Sequence, residues 1–278
     1  MSGFPESGLG SSVCAIVLAA GEGTRLRPLT TLRPKALCPV GNIALLDRAM
    51  ALLSDAGLGG PGEVAVNAHW LADQVAEHVD GQAHLSVERE LLGSAGSVGA
   101  LREWVDGRAV LVLNADAYLS GDVSVASLLA GWDGRTVRML GQRHVGGAGE
   151  FGDHDFAGIS LLPGEIAAGL AAEHSDLVRS AWRPAERVGK LEVVTLRGLY
   201  LDCGTPTSYL HANLLDVEDR LIAAEAKVTG TVTRSVIGAG AIVEGDVTEC
   251  VIWPGAHVGR NERLSGVIRA GEFTVPAG

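Results

Sequence analysis

The sequence predicts an α/β protein: a doubly wound, mostly parallel sheet followed by a short C-terminal left-handed parallel β-helix. Two observations carry this. Through most of the chain, short apolar runs alternate with segments of helical spacing, which implies right-handed βαβ units with helices on both faces of a parallel sheet. After about Ala226 the helical spacing stops, and β-branched residues recur between closely placed glycines. There Ile237 and Val243 are six apart, as are Ile252, Val258 and Leu264. A six-residue step between small residues marks a coil of parallel faces; an ordinary β-meander is the alternative. The expected division is 1–225 for the α/β part and 226–278 for the coil. So short a coil is expected to pack on the main part or on another subunit.

The elements follow in order. Residues 13–19 (VCAIVLA) form an apolar run suited to a strand buried on both faces. A glycine-bearing turn, Ala20-Gly21-Glu22-Gly23-Thr24, comes next. Leu46, Met50 and Leu53 repeat at helical spacing, and Gly57 supplies a stop. Residues 63–67 read as a strand, Leu71, Val75 and Val79 as a helix, and residues 84–88 as another strand. Residues 109–113 (AVLVL) are a further buried strand that ends at Asn114-Ala115-Asp116. Strands are expected at 156–162 and 191–194. A long helix is expected over 205–225, carrying Leu210, Leu214, Leu215 and Leu221.

Composition excludes several classes. In 278 residues, 47% are hydrophobic and 20% charged, which is globular rather than disordered. No stretch approaches the roughly 20 uninterrupted apolar residues of a membrane span. Met1–Ser12 is Gly/Ser-rich without a basic start or apolar run, and reads as a loose leader rather than a signal peptide. Cys14, Cys38, Cys203 and Cys250 are scattered without a CxxC pair, so a disulfide framework or zinc cluster is not expected and a reducing cytoplasm fits. A net charge of -11 argues against a nucleic-acid partner. It leaves room for small phosphorylated ligands, which local cations, a helix N-terminus or a metal can receive.

Lysine is scarce, present only at 35, 190 and 227, so Lys35 among Arg25, Arg27 and Arg33 stands out. The stretch from Gly23 to Lys35 places cations and free backbone N–H groups directly after the first strand. Such a loop can wrap a triphosphate, the glycines allowing close backbone approach. As a dinucleotide fingerprint it is weak, since Leu26 stands where the third glycine belongs. Asp116 follows a buried parallel strand at its carboxyl end, where open α/β sheets bind ligands. No Ser/His/Asp or Cys/His set is evident. His69, His78 and His84 show no metal spacing and are expected at the surface or in loops.

Residues 18–30 (LAAGEGTRLRPLT) with 33–40 (RPKALCPV) closely resemble the signature of sugar-1-phosphate nucleotidylyltransferases. The resemblance runs from about Val13 to Asn213 and is thinner between Gly141 and Gly189. It implies a Rossmann-like nucleotidyltransferase fold, a nucleoside triphosphate and a sugar or cyclitol 1-phosphate as substrates, and Mg²⁺ as cofactor. It also implies roles. The Leu18–Gly23 backbone, with Ala20, Gly21 and Thr24, would cradle the nucleotide. Arg25 would grip the leaving pyrophosphate, and Lys35 would contact the α-phosphate or the sugar phosphate. Asp116, and Asp202 in the run GLYLDCGTP (198–206), match the metal ligands. Asn114 and Gly158 match sugar contacts. Gly93 and Ser94, in GSAG, match a second glycine loop.

Glu88 lies five residues before Gly93, where uridine- and thymidine-using relatives carry glutamine. A carboxylate offers only acceptors, which suits the N1–H and N2 amino donors of guanine and favours GTP. Residues 67–70 (NAHW) and 156–160 (FAGIS) resemble instead the N-acetylmuramate-1-phosphate uridylyltransferase branch. The sugar side departs from the family, for no lysine stands between Lys35 and Lys190. Arg143, Arg183 and Arg187 are candidate substitutes. A sugar phosphate is already an anionic nucleophile, so positioning and metal electrostatics suffice without a protein base. The alternatives are a non-catalytic regulatory subunit on the same scaffold, a bifunctional enzyme whose coil acylates the sugar, and a nicotinamide oxidoreductase. A dimer or tetramer through the tail is expected.

Overall fold

The computed structural model describes residues 13–277, so the leader expected at Met1–Ser12 lies outside the described residues. The chain forms two compact units. The first takes in Ala49–Ala115 and Leu119–Tyr200 together with the N-terminal segment up to Gly21. The second takes in Glu22–Arg48, Asp116–Tyr118 and, among the described residues, 201–277.

The first unit is built on a seven-stranded sheet. Its strands are β1 (Val13–Leu18), β2 (Val64–Ala68), β3 (His84–Val87), β4 (Ala109–Asn114), β5 (Val137–Arg143), β6 (His154–Leu162) and β7 (Leu191–Thr195). They lie in the order β7-β5-β6-β4-β1-β2-β3. Every pair is parallel except those of β6, which runs antiparallel to both β4 and β5. The mixed α/β class with a large, mostly parallel sheet is therefore the one the alternating pattern predicts. Residues 13–17 of β1 and 109–113 of β4 are buried without alternation, so neither face of the sheet meets water along them.

The helix Gly93–Ala100 shows why glycine recurs there. A Cβ on Gly93 or Gly96 would overlap the carbonyl oxygens of Ser175 and Glu173, and one on Gly99 that of Ala171. The stripe at every third residue lets the 171–175 backbone lie directly on the helix. Gly96→Ala is therefore expected to cost about 1–3 kcal/mol through overpacking, despite alanine's higher helix propensity. A melting curve checks it: the midpoint falls by several degrees, whereas a rise would contradict the packing.

In the second unit, Thr205 caps the helix Pro206–Leu214. Its hydroxyl accepts from the Ser208 N–H (3.2 Å), the Ser208 hydroxyl accepts from the Thr205 N–H (3.1 Å), and Pro206 holds the first turn. The long helix expected over 205–225 is corrected here: it ends at Leu214, and Arg220–Ile222 is a strand paired with Ser235–Ile237. Leu221 is helical in spacing but ladders against Val236, and Asp216 accepts a hydrogen bond from Tyr118 Oη (2.7 Å). Long-range pairing overrides local periodicity.

From Arg220 onward the strands visit three short sheets in rotation. Arg220–Ile222, Ser235–Ile237, Val251–Ile252 and Val267–Ala270 stack in parallel in one, which Phe273–Pro276 closes antiparallel. Ile237 and Ile252 fall in that sheet, Val243 and Val258 in the second and Leu264 in the third, so the six-residue steps join neighbouring faces. The full turn is shorter than three such steps: Val236 pairs Val251 and Val243 pairs Val258, fifteen residues on, while Val247 pairs Leu264 and Val251 pairs Ile268, seventeen residues on. Gly230 and Gly245 turn one corner, where a Cβ on Gly230 would overlap the Gly245 carbonyl. Inside lie Ile237, Val243, Val247, Ile252 and Val258. The same unit has a second core, in which Trp253 Nε1 donates to the Tyr209 hydroxyl (3.0 Å), which in turn donates to the Pro39 carbonyl.

Candidate active site

Four of the side chains to which the resemblance gives phosphate and metal roles converge in the second unit. Asp116 follows β4, and Asp202 ends a strand that pairs with Ala117–Asp122 in a two-stranded ribbon. The backbone bond from the Cys203 N–H to the Asp116 carbonyl (3.2 Å) fixes the two acids side by side. Lys35 opens a single 3₁₀ turn, Lys35–Leu37, and its ammonium donates to Asp116 Oδ2 and to Asp202 Oδ1, both at 2.9 Å. Arg25 Nη2 donates to Asp202 Oδ2 at 3.1 Å. Three of the four carboxylate oxygens thus accept from cationic donors.

Glycine makes this possible. Gly23 has φ +61, and a Cβ there would sit 2.7 Å from Thr30 Cγ2 and 3.2 Å from Lys35 Cβ. A Cβ on Gly204 would press within 3 Å of Arg25 Nη2 and of both Asp202 oxygens.

Exposure and charge divide the roles. The Lys35 side chain is 7% exposed, while those of Asp116 and Asp202 are 44% and 42% exposed. Burial acts to lower the Lys35 pKa, but the charge and hydrogen bond of Asp116, with those of Asp202, outweigh it and raise the ammonium above its ordinary value. Burial acts to raise the Asp202 carboxyl, yet Lys35 and then Arg25 hold it below the usual carboxylate range. The site thus holds two carboxylates against a fixed ammonium, both open to solvent on one side. Two carboxylates, each nearly half exposed, suit a hard divalent cation that keeps several waters. Among the described residues no group of three or more His, Cys, Asp or Glu side chains forms a cage.

The thiols give no nucleophile. All four cysteines are buried, and burial pushes Cys38 and Cys203 up to about 12 and Cys14 to about 11. His84 lies in β3 stacked on Trp104 (ring centroids 5.6 Å), and His69 Nδ1 bonds the Glu88 carbonyl (3.0 Å). Both are half-buried; His84 stands within a strand rather than in a loop, whereas His69 lies in the segment between β2 and the next helix, a loop position as expected.

Thr24 is exposed beside Arg25 in the second unit, and the remaining candidates lie in the first. The Leu18 carbonyl accepts from the Ala115 N–H (3.0 Å), between Asn114 and Asp116 in sequence. Ala20 is buried and Gly21 open. Gly158 has φ +78, and a Cβ there would meet the Tyr200 ring at 2.9 Å. Gly93 and Ser94 are turned toward residues 175–177, where Ser94 Oγ accepts from the Leu177 N–H (2.9 Å). Glu88 is buried, with its carboxylate turned to Asn67 and Ser97, two residues to which sequence reading assigns no role. Only the fold reveals them, because they stand 21 and 9 residues away.

Of the three arginines considered for the missing lysine, Arg183 is taken up by Glu186 (2.7 Å) and the Phe151 ring. Arg143 lines a cavity of about 580 Å³, together with Arg197, Thr195 and Ser124.

Cations beside paired carboxylates, with all four cysteines buried, suit the binding of phosphate groups. The chain belongs to the family described as the MobA-like NTP transferase domain, which it matches over residues 15–229. It is an enzyme of the nucleotidyltransferase class. It is 28% identical over 232 residues to an N-acetylmuramate alpha-1-phosphate uridylyltransferase of Caulobacter vibrioides, covering 71% of this chain and 94% of that protein. It is 31% identical over 125 residues to a mannose-1-phosphate guanylyltransferase catalytic subunit beta of Drosophila pseudoobscura pseudoobscura, covering 42% of this chain and 33% of that one. In fold it is similar to a protein of Thermus thermophilus described as a mannose-1-phosphate geranyltransferase, with a TM-score of 0.65 and 18% identity over 95% of this chain and 94% of that one. Among the described residues no helix is long and apolar enough to cross a membrane.

Proposed function

We propose that the protein transfers a nucleotidyl group from a nucleoside triphosphate to a sugar or cyclitol 1-phosphate, releasing pyrophosphate and forming an NDP-sugar. The observation that carries this is the Lys35 ammonium shared at 2.9 Å by Asp116 and Asp202, with Arg25 alongside. The acceptor phosphate is the nucleophile. Lys35 neutralises charge at the reacting phosphate, and Arg25 holds the departing pyrophosphate. Asp116 and Asp202 are the residues to hold Mg²⁺, which when bound neutralises charge on the phosphate oxygens. In the first unit, the backbone of residues 18–21 holds the nucleotide, and Asn114 and Gly158 the sugar.

The domain reading belongs to the same proposal. Residues 1–225 carry the chemistry, close to where the family match ends at residue 229, and 226–278 form a left-handed β-helix. Three sheets visited in rotation support the coil. Exposed Ile242 and Phe273 support a dimer or tetramer formed through it.

For the base, UTP is the better-supported reading. The relative that is covered over 94% of its own length is named for uridylyl transfer, and the Glu88 carboxylate is largely occupied within the fold. GTP, which Glu88 favours as an isolated residue, is the second reading. The test crosses UTP, GTP, ATP, dTTP and CTP with sugar and cyclitol 1-phosphates and identifies products by mass. A nucleotide sugar formed only when both partners are present is expected. A folded, nucleotide-binding protein silent across the panel would contradict the reading and favour a regulatory subunit.

A further inference from the structure

We infer that Glu88 is a positioning residue, the centre of a buried polar clamp that sets the two glycine loops of the first unit, and not the group that reads the base. The inference rests on the proposal that these loops hold the nucleotide. Asn67, Glu88 and Ser97 are 2%, 6% and 2% exposed. Asn67 Oδ1 accepts from the Ala19 N–H at 2.6 Å. A backbone N–H can only donate, so the amide oxygen must face Ala19 and the amino group must face away from it. That amino group donates to Glu88 Oε1 and to Ser97 Oγ, both at 2.8 Å. Ser97 Oγ lies 2.6 Å from Glu88 Oε1 and 2.7 Å from the Gly93 carbonyl. With one hydroxyl proton to give, it donates to the carboxylate, the stronger and closer acceptor. Glu88 Oε2 accepts from the Leu92 N–H at 3.1 Å.

Hydrogen-bond polarity therefore runs one way through the network, and only an acceptor on both arms satisfies position 88. One end holds Ala19, where the first glycine loop leaves β1. The other holds Leu92, directly before Gly93, and Ser97 in the following helix. A carboxylate has about four acceptor positions, and three are taken by Asn67, Ser97 and Leu92. Guanine would need two, for N1–H and for the N2 amino group. Glu88 cannot supply them without releasing a buried donor, which is costly. Base choice therefore falls to other groups, and Glu88 acts on every nucleotide alike.

Glu88→Gln tests this. An amide presents one acceptor arm and one donor arm, so a donor must face either the Leu92 N–H or the Asn67 amino group. Calorimetric Kd values for Mg-UTP and Mg-GTP are each expected to weaken about tenfold, as one mispaired buried hydrogen bond implies, with their ratio within about twofold of wild type. Ser97→Ala keeps helix propensity, removes the donor to Glu88 Oε1 and one of the two acceptors of the Asn67 amino group, and is expected to fold where Glu88→Gln fails to. It should weaken both nucleotides about threefold, again without changing the ratio. In turnover, KM for the nucleotide should rise while KM for the sugar phosphate holds, a split that general destabilisation does not produce. A UTP:GTP ratio shifted tenfold or more in either variant would overturn the inference, as would unchanged Kd values. If wild type binds nucleotide but makes no nucleotide sugar, the Kd pattern still decides the clamp while the proposed reaction falls.

Discussion

Asp116→Ala and Asp202→Ala are each expected to lower turnover by about a thousandfold or more, the scale of removing a group that holds charge-neutralising electrostatics at the reacting phosphate. Both variants should fold. Each carboxylate is nearly half exposed, so truncation opens no internal cavity, and Lys35 keeps its bond to the other acid. The two should differ in stability. Asp116 accepts from Lys35, whereas Asp202 accepts from both Lys35 and Arg25. Asp202→Ala therefore strands more cationic charge and should melt lower than Asp116→Ala. Pyrophosphate release with Mg²⁺, read beside circular dichroism melts, checks both statements. Full activity in both variants would remove the metal assignment.

Lys35→Met should be as severe in turnover and worse in stability. Methionine matches the aliphatic stem that packs beside Gly23, so volume is nearly conserved. What is lost is the buried charge between Asp116 and Asp202, leaving the carboxylates to repel across the space that the ammonium filled. Lys35→Arg should not rescue. The ammonium serves two acids as a compact point charge, while a planar guanidinium is longer and wider. Activity is expected to fall about a thousandfold in both variants. The apparent requirement for Mg²⁺ in the melt should sharpen in Lys35→Met, where added Mg²⁺ raises the midpoint more than in wild type. Wild-type turnover in Lys35→Met would exclude a role at the reacting phosphate.

Much of this site is legible in the sequence because it is local. Residues 18–40 hold strand end, glycine turn, cations and Lys35 in one stretch, where backbone chemistry declares itself without tertiary information. Asp116 is legible from its place after the apolar run 109–113. That Asp116 and Asp202 share one lysine is not, because the ribbon joining them brings together positions far apart in the chain. The Asn67–Glu88–Ser97 clamp is hidden for the same reason, and Glu88 taken alone points to the base rather than to its buried neighbours. Ser94 likewise reads as a loop hydroxyl, while the fold turns it to Leu177. In the tail, the six-residue steps place Ile237, Val243, Ile252 and Val258 on the right faces. The turn of fifteen and then seventeen residues, and the close backbone approach of Gly230 to Gly245, are not reported by the spacing of the large residues alone.

In the proposed reaction the acceptor phosphate attacks directly at a site of fixed cations and paired carboxylates, and the protein carries no nucleotidyl group. Exchange of labelled pyrophosphate into the nucleoside triphosphate, measured with Mg²⁺ and no sugar phosphate, tests it most directly. No exchange is expected until the 1-phosphate is added, and exchange together with net pyrophosphate release is expected once it is present. Exchange in the absence of acceptor would show a nucleotidylated protein intermediate and would exclude direct attack.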